Sequence, residues 1–198
     1  MSQSGRGVVV LSASATAATE WVRGGVVPCH VLAHPSWSVV VPAAGSTAVA
    51  APYDDALTVL ASRHVPPRLA PAFGLFRIED TAVLTARAAG VRAVTRWALR
   101  SADGELVASR QLPRLTPESV HRVLGTAAHA REVPVRAVRE LWERVDLGHE
   151  EWLVEAATVL GLPGARVLAG TDTELGPVVR PAPRSVPAFE SVIKDVHQ

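Results

Sequence analysis

"FGLFRIEDTAVLTAR" (residues 73–87) contains two short apolar runs separated by Glu79 and Asp80. Runs of this kind, rich in aromatic and β-branched residues and divided by a polar pair, are typical of two strands joined by a turn. The next two runs, "VRAVTRWALR" and "ELVASR", flank residues 102–104, whose Asp-Gly pair is a strong hairpin signal. We therefore predict an antiparallel meander over residues 73–110.

The third predicted strand of this meander carries arginine on one face, as in a sheet with one side in water. Its apolar positions are Val91, Ala93, Thr95, Trp97 and Leu99, and the alternating arginines are Arg92, Arg96 and Arg100. One hypothesis is that this arginine face binds nucleic acid. The net charge of +1 argues against it, because the chain has no overall positive field to attract phosphates.

The sequence before the meander predicts strands and helices in a mixed order. The strands are "GVVVLSA" (7–13), "VVPCHVLAH" (26–34) and "WSVVVPA" (37–43). The helices cover residues 16–24 and 52–64, the second with Pro52 in its first turn, where proline is well tolerated.

After the meander the apolar period becomes helical. Thr116 and Pro117 have the residue types of an N-cap and a first helical position, a second helix follows Pro134, and a third covers residues 149–160. "ARVLAG" (165–170) is predicted to be a last strand. We expect an α+β fold: a mixed N-terminal α/β portion runs into an antiparallel meander, and a C-terminal three-helix cluster and a proline-rich tail follow.

This organisation predicts a single α+β domain over residues 1–175. The domain is sheet-rich over residues 1–112 and helical over residues 113–162. The proline-rich segment "GPVVRPAPRSVP" (176–187) is predicted to be a linker, and residues 188–198 an amphipathic tail.

Composition limits the class of protein. Hydrophobic residues make up 48% of the 198 residues and charged residues 20%, which is enough to build a core. No stretch reaches the roughly 20 consecutive apolar residues of a membrane helix, so we expect no membrane partner. The single cysteine excludes an internal disulfide and indicates a reducing compartment, so we expect a cytoplasmic protein.

The stretch "CHVLAHPSW" (29–37) holds Cys29, His30 and His34, residue types that bind zinc. On a strand, Cys29 and His30 point to opposite faces, and His30 and His34 lie roughly 13 Å apart. Zinc requires all its ligands within about 2.3 Å of one centre. We therefore expect no metal here, and a buried cysteine that packs as a small apolar side chain.

Polar residues near the ends of the predicted strands support a second hypothesis, a small enzyme or small-molecule-binding protein whose site gathers distant residues. The candidates are His30, His34, Asp54, His64 and Asp172. The glycine-rich nucleotide-binding motifs are absent from the sequence, and we expect no cofactor.

The C-terminal tail supports the hypothesis that we rank first. Phe189, Val192, Ile193 and Val196 lie at i, i+3, i+4 and i+7, the spacing of one apolar helix face. Eleven residues are too few for a stable isolated helix, so this segment needs a groove. The groove lies on its own domain, on a second copy or on another protein. We therefore predict a non-catalytic interaction or assembly protein that binds itself or another protein through this tail.

Overall fold

The computed structural model describes residues 6–43, 47–127, 132–172 and 174–196, with side chains as far as Ile193. Within these residues the fold is α+β, as predicted, with one eight-stranded antiparallel sheet and seven α-helices. The strands are β1 (Gly7–Leu11), β2 (Cys29–Ala33), β3 (Ser38–Pro42), β4 (Ala72–Ile78), β5 (Thr81–Arg87), β6 (Arg96–Ser101), β7 (Leu106–Val107) and β8 (Val178–Val179). The helices are α1 (Ala15–Arg23), α2 (Ala56–Ser62), α3 (Pro117–Leu124), α4 (Val135–Glu143), α5 (His149–Val159), α6 (Ala165–Leu168) and α7 (Ser185–Val196).

The strand order of the sheet is β7-β6-β5-β4-β1-β3-β2-β8. β1 is central and all five of its residues are buried, because it is apolar at every position and can pack on both faces. Val9 of β1 lies opposite Val40 of β3 and Gly74 of β4. The meander contributes β4 to β7, and the other half of the sheet consists of the N-terminal strands β1, β2 and β3 with β8 at its edge.

Helices cover both faces of the sheet and give three layers. On one face, helices α3 to α6 pack on side chains that include Val8, Val10 and Val39. On the other face, α1 and α2 pack on side chains that include Val9 and Val40, and Phe189 of α7 reaches this second cluster. The tail helix α7 therefore packs on the same face of the sheet as α1 and α2, which we call the α1–α2 face.

The prediction that the third meander strand exposes a face of arginine side chains to water is wrong. β6 begins at Arg96, because residues 88–95 form a loop around Gly90, whose φ is +123°. Val91 is 86% exposed in that loop, whereas Arg100 is 0% exposed. Arg100 points toward the C-terminal helices. Its guanidinium carbon lies 5.3 Å from the centre of the Trp152 ring.

Three helix starts follow the sequence closely. Thr116 caps α3 with Pro117 in its first turn, and α4 and α5 begin at Val135 and His149. The predicted helix over residues 52–64 is shorter at its start. Asp55 is the N-cap of α2, and its side chain accepts a hydrogen bond of 2.6 Å from the Thr58 amide.

The predicted last strand over residues 165–170 is wrong. These residues include helix α6, and β8 is the last strand of the described chain. Gly164 precedes α6 with a φ of +107°, a conformation that glycine adopts without strain. β8 lies within the predicted linker and pairs with Cys29 and His30 of β2.

Candidate functional site

The residues of the "CHVLAHPSW" stretch do not form a common site. Cys29 is buried in β2, and burial raises the pKa of its thiol to about 12. His30 Nδ1 lies 2.8 Å from the Gly176 carbonyl oxygen, beside β8. His34 is exposed at the end of β2. The described residues contain no group of three or more His, Cys, Asp or Glu side chains placed to hold a metal ion.

Two of the predicted small-molecule-site residues line one cavity. His34 and Asp172 lie in the wall of a space of about 520 Å³ between the β2–β3 turn and α6, which we call the α6 cavity. Trp37 and Arg166 line it as well. His30, Asp54 and His64 do not contribute to it. The α6 cavity therefore gathers two of the five candidates.

A larger cavity, of about 750 Å³, lies beside the C-terminal helix, and we call it the tail cavity. It is bounded by the end of α1, by α2 and by α7. The described residues that line it are Gly24, Gly25, Val26, Tyr53, Val59, Ser62, Arg63, His64, Arg184, Ser185, Ala188, Phe189 and Val192. Among the predicted site residues, His64, Phe189 and Val192 contribute to this cavity.

The end of α1 holds the start of α7. Gly24 is the C-cap of α1. The carbonyl oxygen of Arg23, just before it, accepts hydrogen bonds from the Ala182 amide at 2.8 Å and from the Ser185 hydroxyl at 2.9 Å. These bonds satisfy a carbonyl at the end of α1 that has no partner within its own helix. They also fix the point from which α7 runs along the α1–α2 face.

Phe189 attaches the middle of α7 to the domain. Its ring meets the Tyr53 ring edge-on at a centroid separation of 5.6 Å. Val192, one turn later, is 63% exposed, and Ile193 is half-buried. Val196, the fourth residue of the predicted apolar face, has a side chain outside the described residues. The tail helix therefore docks on its own domain, one of the arrangements that the sequence left open.

Arg63 brings a positive charge to the tail cavity. Its guanidinium carbon lies 3.9 Å from the centre of the Trp21 ring, and its Nη2 donates a hydrogen bond to the Trp21 carbonyl oxygen. Its Nη1 is buried and has no hydrogen-bond partner among the described residues. Burial lowers the pKa of Arg63 to about 10, so the side chain stays protonated at neutral pH.

Gly25 leaves the space that the Arg63 guanidinium occupies. A Cβ atom at this position would overlap Nη1 and Cζ of Arg63. None of the ion pairs among the described residues includes Arg63. The arginine is therefore held by an aromatic ring and a carbonyl group, without a carboxylate.

Sequence reasoning missed Arg63, Gly25 and Tyr53 as cavity residues. Arg63 follows the last residue of α2 and resembles any charged residue at a helix end, where basic side chains are common. Its contact with Trp21 joins positions 42 residues apart. Patterns of neighbouring residues in the sequence do not predict a contact between positions so far apart.

Comparison with known proteins does not identify the chain: no family model, curated protein or solved structure matches it. Among the described residues, no helix has both the length and the apolar character required to cross a bilayer.

Proposed function

We propose that this protein binds a small, mainly apolar molecule in the tail cavity, with α7 as one wall of the site. The observation that carries the proposal is the cavity of about 750 Å³ between α7 and the α1–α2 face. Ligand sites in proteins typically measure about 300–1,000 Å³ and combine an apolar lining with a few polar groups. Val26, Tyr53, Val59 and Phe189 supply the apolar lining here, and Arg63 supplies a polar group.

The way α7 is attached supports a role in ligand entry. A helix of about 12 residues is only marginally stable alone, so α7 depends on its docking contacts. Those contacts include the two hydrogen bonds to the Arg23 carbonyl, the Phe189–Tyr53 ring pair and the packing of Val186 against the α1–α2 side of the sheet. Elements with few buried contacts open locally at a small fraction of the global unfolding free energy. Local detachment of α7 would widen the tail cavity.

The test is a titration of the ¹⁵N-labelled full chain with octan-1-ol, followed by two-dimensional NMR. We expect shift changes concentrated at the amides of Gly24, Gly25, Ala188 and Phe189. Changes spread evenly over the surface, or none up to the solubility limit of the alcohol, would contradict the proposal.

A matched pair of variants makes the test specific. Ser62 is an exposed cavity residue whose hydroxyl donates to the carbonyl four residues earlier, at 2.9 Å. Ser62→Trp would fill the cavity and abolish the shift changes. Thr158 is exposed, makes the same kind of hydrogen bond at 2.9 Å, and lies on α5 across the sheet. Thr158→Trp should leave binding unchanged, and equal effects of the two variants would contradict the assignment.

The assembly hypothesis, self-association or partner docking through the tail, stays a prediction beside this proposal. Val192 keeps most of its side chain exposed when α7 is docked on its own domain. Light scattering of the full chain and of a chain ending at Arg184 measures self-association directly. A monomeric mass for both chains would contradict self-association.

A further inference from the structure

The charged side chains that line the tail cavity are both arginines. Arg63 and Arg184 line it, and no Asp or Glu is among the described residues of its lining. Arg184 is exposed, whereas Arg63 is largely enclosed between Trp21 and Gly25. A charge in a poorly solvated position interacts more strongly with a nearby opposite charge than an exposed one does. Arg63 therefore has the strongest influence on which ligands the cavity accepts.

One nitrogen of the Arg63 guanidinium has no hydrogen-bond acceptor among the described residues. Its Nη2 bonds to the Trp21 carbonyl oxygen, whereas its Nη1 is buried without a hydrogen-bond partner among the described residues. A buried donor without a partner is costly, and more so when the donor is charged. The nearby Cys29 thiol does not act as a counter-ion at neutral pH, because burial raises its pKa to about 12. The guanidinium geometry matches a carboxylate, which accepts two hydrogen bonds side by side.

We propose that the ligand of the tail cavity is a monoanionic amphiphile, with one carboxylate on an apolar chain or ring, and that Arg63 recognises the carboxylate. This inference rests on the proposed function, because it names the ligand class for the same site. The apolar part lies against Val59, Tyr53 and Phe189, and the carboxylate lies at the Arg63 end of the cavity.

Binding through Arg63 has a structural consequence near Trp21. Nη1 is enclosed by protein atoms, so the guanidinium must turn toward the cavity to reach a carboxylate. That movement changes its contact with the Trp21 ring, 3.9 Å away. The Trp21 indole N–H, which donates to the His64 carbonyl oxygen at 3.1 Å, is a reporter beside the site. Its NMR signal should shift when a carboxylate binds and shift much less when a neutral ligand binds.

The experiment compares three probes that share one chain length: octanoate, octan-1-ol and octylammonium. Affinities for the full chain are measured by NMR titration at neutral pH. We expect octanoate to bind about 10- to 100-fold more tightly than octan-1-ol, which is the range for a hydrogen bond to a charged group. Octylammonium should bind more weakly than the alcohol, because the lining carries like charge.

Variants then assign the preference to one residue. Arg63→Met should reduce the affinity for octanoate to that for octan-1-ol and leave the affinity for the alcohol unchanged. Arg63→Lys keeps the positive charge without the planar guanidinium, and it should retain part of the preference for octanoate over octan-1-ol. This second variant also tests the role of Arg63 in case Arg63→Met fails to fold. The control is Arg68→Met, an exposed arginine outside the cavity lining, which should retain the full preference.

The outcomes separate the two proposals. Equal affinities for octanoate and octan-1-ol at this cavity would overturn the carboxylate inference and leave the binding function in place. Failure of all three probes to bind would overturn the binding function itself. A preference for octanoate that survives Arg63→Met and is lost in Arg184→Gln would overturn the role of Arg63.

Discussion

Phe189→Ala should raise the population in which α7 is detached and leave the rest of the fold intact. The substitution removes an edge-on ring pair with Tyr53, with centroids 5.6 Å apart, which contributes about 0.5–1.5 kcal/mol. It also removes the burial of a half-buried phenyl ring, about half of the roughly 1.5–3 kcal/mol of a fully buried one. The sum is about 2 kcal/mol, which raises the detached population of α7 about 30-fold.

Hydrogen–deuterium exchange measures this population directly. The amides of α7 should exchange about 30-fold faster in Phe189→Ala, whereas those of β1 in the centre of the sheet should keep their rates. Val192→Ala is the control on the same helix, because Val192 is 63% exposed and its truncation should change the rates by less than about 3-fold. Equal acceleration by the two variants, or an equal rise in the β1 rates, would refute local docking through Phe189.

Three further predictions concern buried groups of the fold. The pKa of the Cys29 thiol is raised from 9.0 to about 12 by burial, so its stabilising effect is present below pH 9 and is lost as the pH rises toward 12. Between pH 9 and 10 the free energy of unfolding in urea should therefore fall by about 1 kcal/mol more than in Cys29→Ala, and parallel pH profiles would contradict this. Gly25→Ala should displace the Arg63 guanidinium from Trp21, because its Cβ would overlap Nη1 and Cζ. These atoms are the end of a flexible side chain, so the cost in a thermal melt should be less than the roughly 1–3 kcal/mol of overpacking in a rigid core, whereas the NMR signal of the Trp21 indole N–H should shift. Gly24→Ala, whose Cβ meets only ordinary contacts at 3.6 Å or more, should leave that signal in place, and equal shifts in the two variants would contradict the packing of Arg63 on Gly25. Trp152→Phe should cost about 1–3 kcal/mol in urea unfolding, because it removes the hydrogen bond of 3.1 Å from the buried indole N–H to the Leu141 carbonyl oxygen and leaves a space in the core, and a loss below about 0.5 kcal/mol would refute this.

The sequence predicts those elements whose signals are local. The polar pair between β4 and β5, the Asp-Gly hairpin before β7 and the Thr116–Pro117 start of α3 each depend on residues that are adjacent in sequence. These signals place the α+β class and most helix starts correctly. The local signals fail where tertiary packing determines which side chains are buried. The alternation of residues along β6 predicts that Arg100 is exposed to water, whereas the layer of α4 and α5 buries it.

The tail cavity could be predicted only in part. The apolar spacing of Phe189, Val192 and Ile193 predicts a helix that needs a groove, and α7 docks in one. The identity of that groove depends on contacts between Arg23 and Ser185 and between Tyr53 and Phe189, which join positions far apart in sequence. Arg63 carries no sequence signal, because its role comes from the burial that Trp21 and Gly25 impose on it.

Isothermal titration of octanoate into the full chain and into a chain ending at Arg184 tests whether α7 forms one wall of the binding site. The shorter chain lacks the α7 side of the cavity, including Ala188, Phe189 and Val192, and keeps Arg63 and the α1–α2 face. We predict saturable one-site binding to the full chain and at least about tenfold weaker binding to the shorter one, because apolar contact area is lost. Equal affinities for the two folded chains, or no binding to the full chain, would contradict it.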